Sequence, residues 1–267
     1  MAITIITHPG SAHFDDFMAL SLIVASQPED DFLIERREPT QAELEDAGIW
    51  VVDVGGRHQP QLLNFDHHQD RDCPASFVIV AEHLGLAEDF KRLPWWTYRD
   101  LHDRIGPRQA ASRLGFEDSI VTVSPVERWL LKRFERAPQA CVELLRDFGQ
   151  EQIDYVRHLA SQLRFWASCA VVAVKGRRVL VGDTDDSLGL EEFRSGMAEP
   201  VDVAVSRDKR GGGWRLFRFD DDDRTIDFSR VADDRRIKFA HKTGFTAKTM
   251  PEVSLDEALE LVGLSLS

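Results

Sequence analysis

The chain has 267 residues, 43% of them hydrophobic and 30% charged, with 17 glycines and 11 prolines. This length and composition allow one large or two small globular domains and exclude collagen-like, low-complexity and fully disordered chains. Against 33 Lys and Arg stand 46 Asp and Glu, a formal net charge of −13. Bulk attraction to a long duplex is therefore excluded. Any phosphate handled here needs local positive charge, and a metal ion is the obvious source.

Residues 2–7 (AITIIT) read as a short buried strand and 17–27 (FMALSLIVASQ) as a largely apolar helix. A strand at 32–36 and a short helix at 40–47, with Thr40 as N-cap, come next. Residues 49–54 (IWVVDV) form another buried strand closed by Gly55-Gly56, and QLLNF at 61–65 is strand-like. Strands alternating with helices predict a parallel sheet covered on both faces. Residues 75–149 read as mainly helical, punctuated at Pro94, Gly106-Pro107, Gly115 and Pro125, and 151–166 continues as an amphipathic helix.

The pattern changes near residue 165. AVVAV, RVLVGD, VDVAV and WRLFRF read as strands, with Gly211-Gly212-Gly213 at a hairpin turn and a final helix at 254–262. The expected fold is α/β: an amino-terminal parallel-sheet domain over 1–165, a smaller α+β domain over 166–267, and an active site in the cleft between them. Cys73, Cys141 and Cys169 are odd in number and far apart, which argues against a disulfide framework or a thiolate zinc site. The start MAITIITHPGSAHFDD does not read as a signal peptide, and no apolar run nears the roughly 20 residues of a membrane span. A cytoplasmic protein with no membrane partner is expected.

Histidine and aspartate carry the chemistry. His8, His13, Asp15 and Asp16 follow the first strand, Asp53 ends the third, and Asp66-His67-His68 follows QLLNF. In an open α/β sheet, ligands bind beyond the carboxyl ends of the strands. A lone strand-end Asp is ordinarily a cap, and a lone His a core or surface group. Three such clusters together are not so explained, because buried unpaired charge is costly. Nitrogen and oxygen donors without thiolate suit Mn²⁺, Fe²⁺ or Zn²⁺, and Mg²⁺ less well. Six or more candidates exceed what one ion with open positions needs, so a two-metal centre is expected.

In order and spacing, H-x4-H-x-D, D-x-G-G and D-H-H resemble the DHH phosphoesterase superfamily. The spelling HPGSAHFDD, VVDVGG and NFDHHQ is closest to the melanocyte-proliferating-gene (MYG) branch, and FAHKTGF near the carboxyl end is similar to that branch's VHASGF. The resemblance implies that His8, His13 and Asp53 hold one ion and that Asp15, Asp53, His67 and Asp103 hold the other, with Asp53 bridging. Asp103 comes from a helix motif, 100–106, in which Asp100 supports and His102 is structural. His68 would contact the scissile phosphate or assist proton transfer, and Asp66 would orient an imidazole. The carboxyl-terminal half resembles the DHH-associated substrate-binding domain. The Gly-Gly-His of relatives is absent, leaving His241, Lys242, Gly244 and Lys248 as candidate substrate contacts.

The implied activity is metal-dependent phosphodiester hydrolysis of short single-stranded nucleic acid, 3′-to-5′ exonuclease-like, or of a nucleotide. Two divalent ions, foremost Mn²⁺, are the implied cofactors, and a homodimer is left open. Hydrolysis of a small phosphoanhydride such as pyrophosphate, and metal-containing binding without turnover, are the alternatives. Trp95-Trp96 reads as packing before base stacking, Asp220–Asp223 as a solvated hairpin tip and Arg207–Arg210 as a loop tip.

Overall fold

Three short strands, Ile3–Thr7 (β1), Phe32–Arg36 (β2) and Ile49–Val52 (β3), pair in parallel with β1 in the middle. Two short strands complete the sheet: His58–Gln59 (β4) at the edge and Asn64–Phe65 (β5), which is parallel to β3. The strand order is β2-β1-β3-β5-β4. The structure, a computed structural model, describes residues 2–116, 124–219 and 225–267. Asp220–Asp223 lies outside the described residues. The chain divides into two units, Met1–Arg157 and His158–Ser267.

Helix α1 (Phe14–Ser26) starts three residues before the predicted Phe17. The reason is local: the His13 backbone N–H donates to Asp16 Oδ1 at 2.9 Å, fixing the first turn over HFDD. Every residue of α1 from Asp15 to Ala25 is buried, so it is the central helix of its unit. Short α2 (Gln41–Leu44), capped by Thr40, lies over the sheet's other face, where Leu44 joins Ile6, Val51 and Val54.

The predicted helical region is a chain of separate helices: α3 (Ser76–His83), α4 (Ala87–Phe90), α5 (Pro94–Ile105), α6 (Pro107–Leu114) and α7 (Pro125–Arg136). Each of Pro94, Pro107 and Pro125 opens a helix, where its missing N–H costs nothing. Trp96 is buried and stacks on Phe90, with ring centroids 4.9 Å apart. Trp95 meets Phe14 edge-on at 5.7 Å, so both tryptophans pack. Helix α8 (Val142–Ser168) runs unbroken through Gly149. A Cβ at 149 would overlap the Ser21 carbonyl and the Ala25 side chain, so this glycine lets α8 approach α1 backbone to backbone.

The second unit holds a six-stranded sheet. Its strands are β6 (Ala170–Val174), β7 (Arg177–Val181), β8 (Val203–Arg207), β9 (Trp214–Arg218), β10 (Ile237–Ala240) and β11 (Thr246–Thr249). The order is β10-β11-β9-β8-β7-β6, antiparallel except for β7 beside β8. Alternation sorts the side chains. Val179, Val203, Val205 and Leu216 face a core with Leu261 and Val262 of α10 (Leu255–Ser265). Leu180 and Ala204 face Trp166 and Leu190 of α9 (Leu190–Ser195). Strands β10 and β11 are absent from the sequence prediction because Lys238, His241, Lys242 and Lys248 interrupt the apolar alternation. Among the described residues no helix is long and apolar enough to cross a membrane. The three cysteines are free.

Candidate metal centre

Strand β1 has β2 on one side and β3 on the other, so the crossovers diverge at its carboxyl end and leave a crevice. His8 follows β1, Asp53 follows β3 and Asp66 follows β5. Asp53 adopts a left-handed backbone conformation, φ 59°, which Asp tolerates better than most residues. Its N–H donates to the Phe65 carbonyl at 2.9 Å, and the residue is buried.

His8 has a readable tautomer. Its Nδ1 lies 2.7 Å from the Pro9 carbonyl, which can only accept, so Nδ1 carries the hydrogen. Nε2 is buried and without a hydrogen-bond partner. That nitrogen faces Asp16 Oδ2 at 3.4 Å and Asp53 Oδ2 at 3.5 Å. Arg36 supplies positive charge to Asp16 Oδ2, and a cation between His8 and Asp53 would offset the rest.

His67 Nε2 stands 2.9 Å from Asp103 Oδ2, 3.4 Å from Asp15 Oδ2 and 3.5 Å from Asp53 Oδ1. Burial opposes the charge, yet Asp103, Asp15 and Asp53 push its pKa up to about 12. Burial, and then the Asp53 charge, push Asp15 well above the usual carboxylate range. Asp103 moves the other way: burial raises it, but the His67 hydrogen bond and charge outweigh that and hold it low.

The ligand atoms of His8, His13 and Asp53 lie within 4.8 Å of one another, as do those of Asp15, His67 and Asp103, and of Asp53, His67 and His68. These donors fit divalent cations. The buried, unpartnered Nε2 of His8, the crowded carboxylates and the mixed imidazole and carboxylate set suit a doubly charged borderline ion. The structure thus brings all six predicted ligands together, with Asp53 common to two of the groups.

Residues without ligand character position the donors. Asp15 accepts from the Ser76 N–H at 2.9 Å and the Phe77 N–H at 2.6 Å, the first turn of α3, where the helix dipole favours negative charge. Ser76 Oγ donates to Asp53 Oδ1 at 3.2 Å. Asp100 accepts from the Ala75 N–H at 2.8 Å and from Arg104 at 3.1 Å, fixing the start of α3 against α5. Asp16 is fully buried and takes a hydrogen bond from the Arg36 guanidinium at the end of β2. Burial still raises Asp16, with Arg36 the main opposing influence. Asp16 was visible in the sequence only as the neighbour of Asp15. Arg36 and Ser76 gave no signal, because partners brought together by sheet order have no spacing rule.

His68 is exposed, and its Nδ1 lies 2.7 Å from Asp66 Oδ1. That hydrogen bond outweighs burial and raises the His68 pKa. Asp66 is raised by burial but held low overall by the His68 ring and by the His68 and Gly56 N–H groups. In the carboxyl-terminal unit, His241, Lys242, Thr243 and Gly244 form the turn joining β10 to β11. Gly244 has φ 72°, and a Cβ there would collide with Asp227. Lys242 is exposed, whereas the Lys248 amine binds buried Asp208 at 2.5 Å. Arg207 covers Trp214 at 3.8 Å, so 207–210 is a turn anchored by Asp208.

A search of curated proteins gives no match. Three solved structures are similar over nearly all of this chain. One is the pGpG-specific phosphodiesterase PggH from Vibrio cholerae, with TM-score 0.30, 12% identity, and 97% of this chain and 95% of that chain covered. Another is an uncharacterized protein from Helicobacter pylori G27, with TM-score 0.28, 10% identity, and 97% and 99% covered. The third is RecJ from Thermus thermophilus in complex with Mn²⁺, with TM-score 0.27, 12% identity, and 98% and 51% covered. Likenesses this distant carry no argument about substrate. Residues 4–75 match the family model MYG1_exonuc, described as Uncharacterised protein family (UPF0160). That stretch contains His8, His13, Asp15, Asp53, Asp66, His67 and His68, and over it the chain is similar to the MYG branch of the DHH-like phosphoesterases.

Proposed function

We propose that the chain hydrolyses phosphodiesters of short single-stranded nucleic acid, 3′-to-5′ exonuclease-like, or of a nucleotide, at a centre for two divalent ions, foremost Mn²⁺. The observation that carries this reading is the crowding of two buried imidazole nitrogens, His8 Nε2 and His67 Nε2, among the carboxylates of Asp15, Asp16, Asp53 and Asp103.

His8, His13 and Asp53 would hold one ion; Asp15, Asp53, His67 and Asp103 would hold the other. When bound, such ions acidify a water and offset charge on phosphoryl oxygens. Asp15 is kept in place by the amides of α3, and Asp53 by Ser76 and by the Phe65 carbonyl. His68 Nδ1 donates to Asp66, which orients the ring and favours its protonated form. His68 Nε2 then holds a proton for the departing oxygen or contacts the phosphate. His241, Lys242, Gly244 and Lys248 are proposed to contact substrate, Lys248 while shared with Asp208. The acidic chain favours a short strand over a long duplex.

The test is a panel with Mn²⁺: labelled short RNA, a dinucleotide, a cyclic dinucleotide and pyrophosphate. Mononucleotide release abolished by His67→Ala or Asp53→Ala supports the proposal. Turnover of pyrophosphate alone replaces it with phosphoanhydride hydrolysis. Two bound metals without any turnover replace it with a binding role.

A further inference from the structure

We propose that a cavity beside Asp15 and Asp103, lined by the ring of His102, is a pocket for a single nucleobase. This rests on the function proposed above.

The cavity lies wholly in the amino-terminal unit and has a volume of about 290 Å³. Phe14 of α1, Pro107 of α6 and Leu131 of α7 form apolar walls, and His13, Asp15 and Asp103 line the edge shared with the candidate metal centre. Small-molecule sites span about 300–1,000 Å³, so this one holds one base with part of its sugar and not two stacked bases. A phosphate at the metal centre would place the adjoining base here.

The lining selects a neutral, flat guest. Its cation, Arg99, lies 4.5 Å from the Phe14 ring centroid and donates to both Glu127 oxygens, at 2.8 and 2.6 Å. With Arg99 so engaged and Asp15, Asp103 and Glu127 around it, an anion is repelled. An aromatic heterocycle meets the apolar walls without that penalty. Helix α5 places Arg99, His102 and Asp103 on one face, at i, i+3 and i+4. His102 Nδ1 is buried without a hydrogen-bond partner, and its ring is steadied edge-on by Tyr98 at 5.7 Å. The His102 ring is part of the cavity lining, an aromatic surface for a flat heterocycle.

The experiment is calorimetric binding of adenosine and uridine 5′-monophosphates, ribose 5-phosphate and inorganic phosphate to the full chain with Mn²⁺. It is repeated with His102→Phe, and with Leu131→Trp to fill the cavity from the opposite wall. The nucleotides are expected to bind at least tenfold more tightly than ribose 5-phosphate. Either variant should remove at least fivefold of that preference while ribose 5-phosphate affinity and metal content by elemental analysis stay unchanged. A base that adds nothing, or variants that weaken ribose 5-phosphate equally, overturns the pocket. Cleavage of short RNA without base-dependent affinity overturns the pocket alone; turnover of pyrophosphate alone overturns the function beneath it.

Discussion

His67 Nε2 and Asp103 Oδ2 meet at 2.9 Å, tying the loop after β5 to helix α5. Together with Asp15 and Asp53, this contact pushes the His67 pKa up to about 12 against the opposing effect of burial. The metal-free chain therefore carries a proton on His67 at neutral pH, and a divalent ion must displace it. Metal uptake is expected to release protons and to tighten with rising pH, roughly tenfold per unit for each proton displaced. Calorimetry at pH 7 in buffers of different ionisation enthalpy checks this, and a buffer-independent heat contradicts it. The linked stability has a definite sign. Because the folded pKa is raised, the contribution is complete below about pH 6.5 and is lost as pH climbs toward about 12. Without metal the protein should weaken in alkali.

Arg36 neutralises Asp16 in a fully buried setting beside His8. Arg36→Met leaves that carboxylate unpaired, and breaking such a pair costs about 3–5 kcal/mol. Asp16 already has a raised pKa and rises further in the variant, so it can take up a proton instead. Denaturant titrations should show a larger loss at pH 8 than at pH 5. An equal loss at both would mean that Asp16 is not the group exposed.

Helix α8 crosses α1 at Gly149, where a Cβ has no room. Gly149→Ala gains helix propensity but forces the two backbones apart, and overpacking costs about 1–3 kcal/mol. A lower urea midpoint with unchanged slope is the expected result; a rise in stability would refute the close approach.

Asp66 is the main reason His68 has a raised pKa. Asp66→Asn should lower that pKa and cut activity about 10–100-fold. As an acid, His68 works only when protonated, so the alkaline limb of the pH–rate profile should move to lower pH. An unmoved limb assigns the proton to another group.

Much of the site was legible because its donors are chemically rare and stand beside strand ends: His8, His13, Asp53, Asp66 and His67 are all local signals. The breaks at Pro94, Pro107 and Pro125 and the Thr40 cap were legible for the same local reason. What supports the donors was not. Arg36 reaches Asp16 through the pairing of β1 with β2, and Ser76 reaches Asp15 through the seating of α3 on α1. His102 looked inert because only the arrival of α1, α6 and α7 beside α5 makes a cavity of its surroundings. Strands β10 and β11 escaped because their lysines break the two-residue alternation, while on β11 Thr246, Ala247 and Thr249 are buried around Lys248.

The central claim is that Asp53 joins two cation sites. Asn keeps the left-handed backbone at this position while removing the charge, so Asp53→Asn isolates that claim from folding. The measurement is the Mn²⁺ content of the folded chain by elemental analysis, with melting curves as a control on the fold. The account predicts two ions per wild-type chain and fewer than one in Asp53→Asn, with the metal-free melting transition preserved. A wild-type chain that takes up no divalent ion, or an Asp53→Asn chain that keeps both, would contradict it.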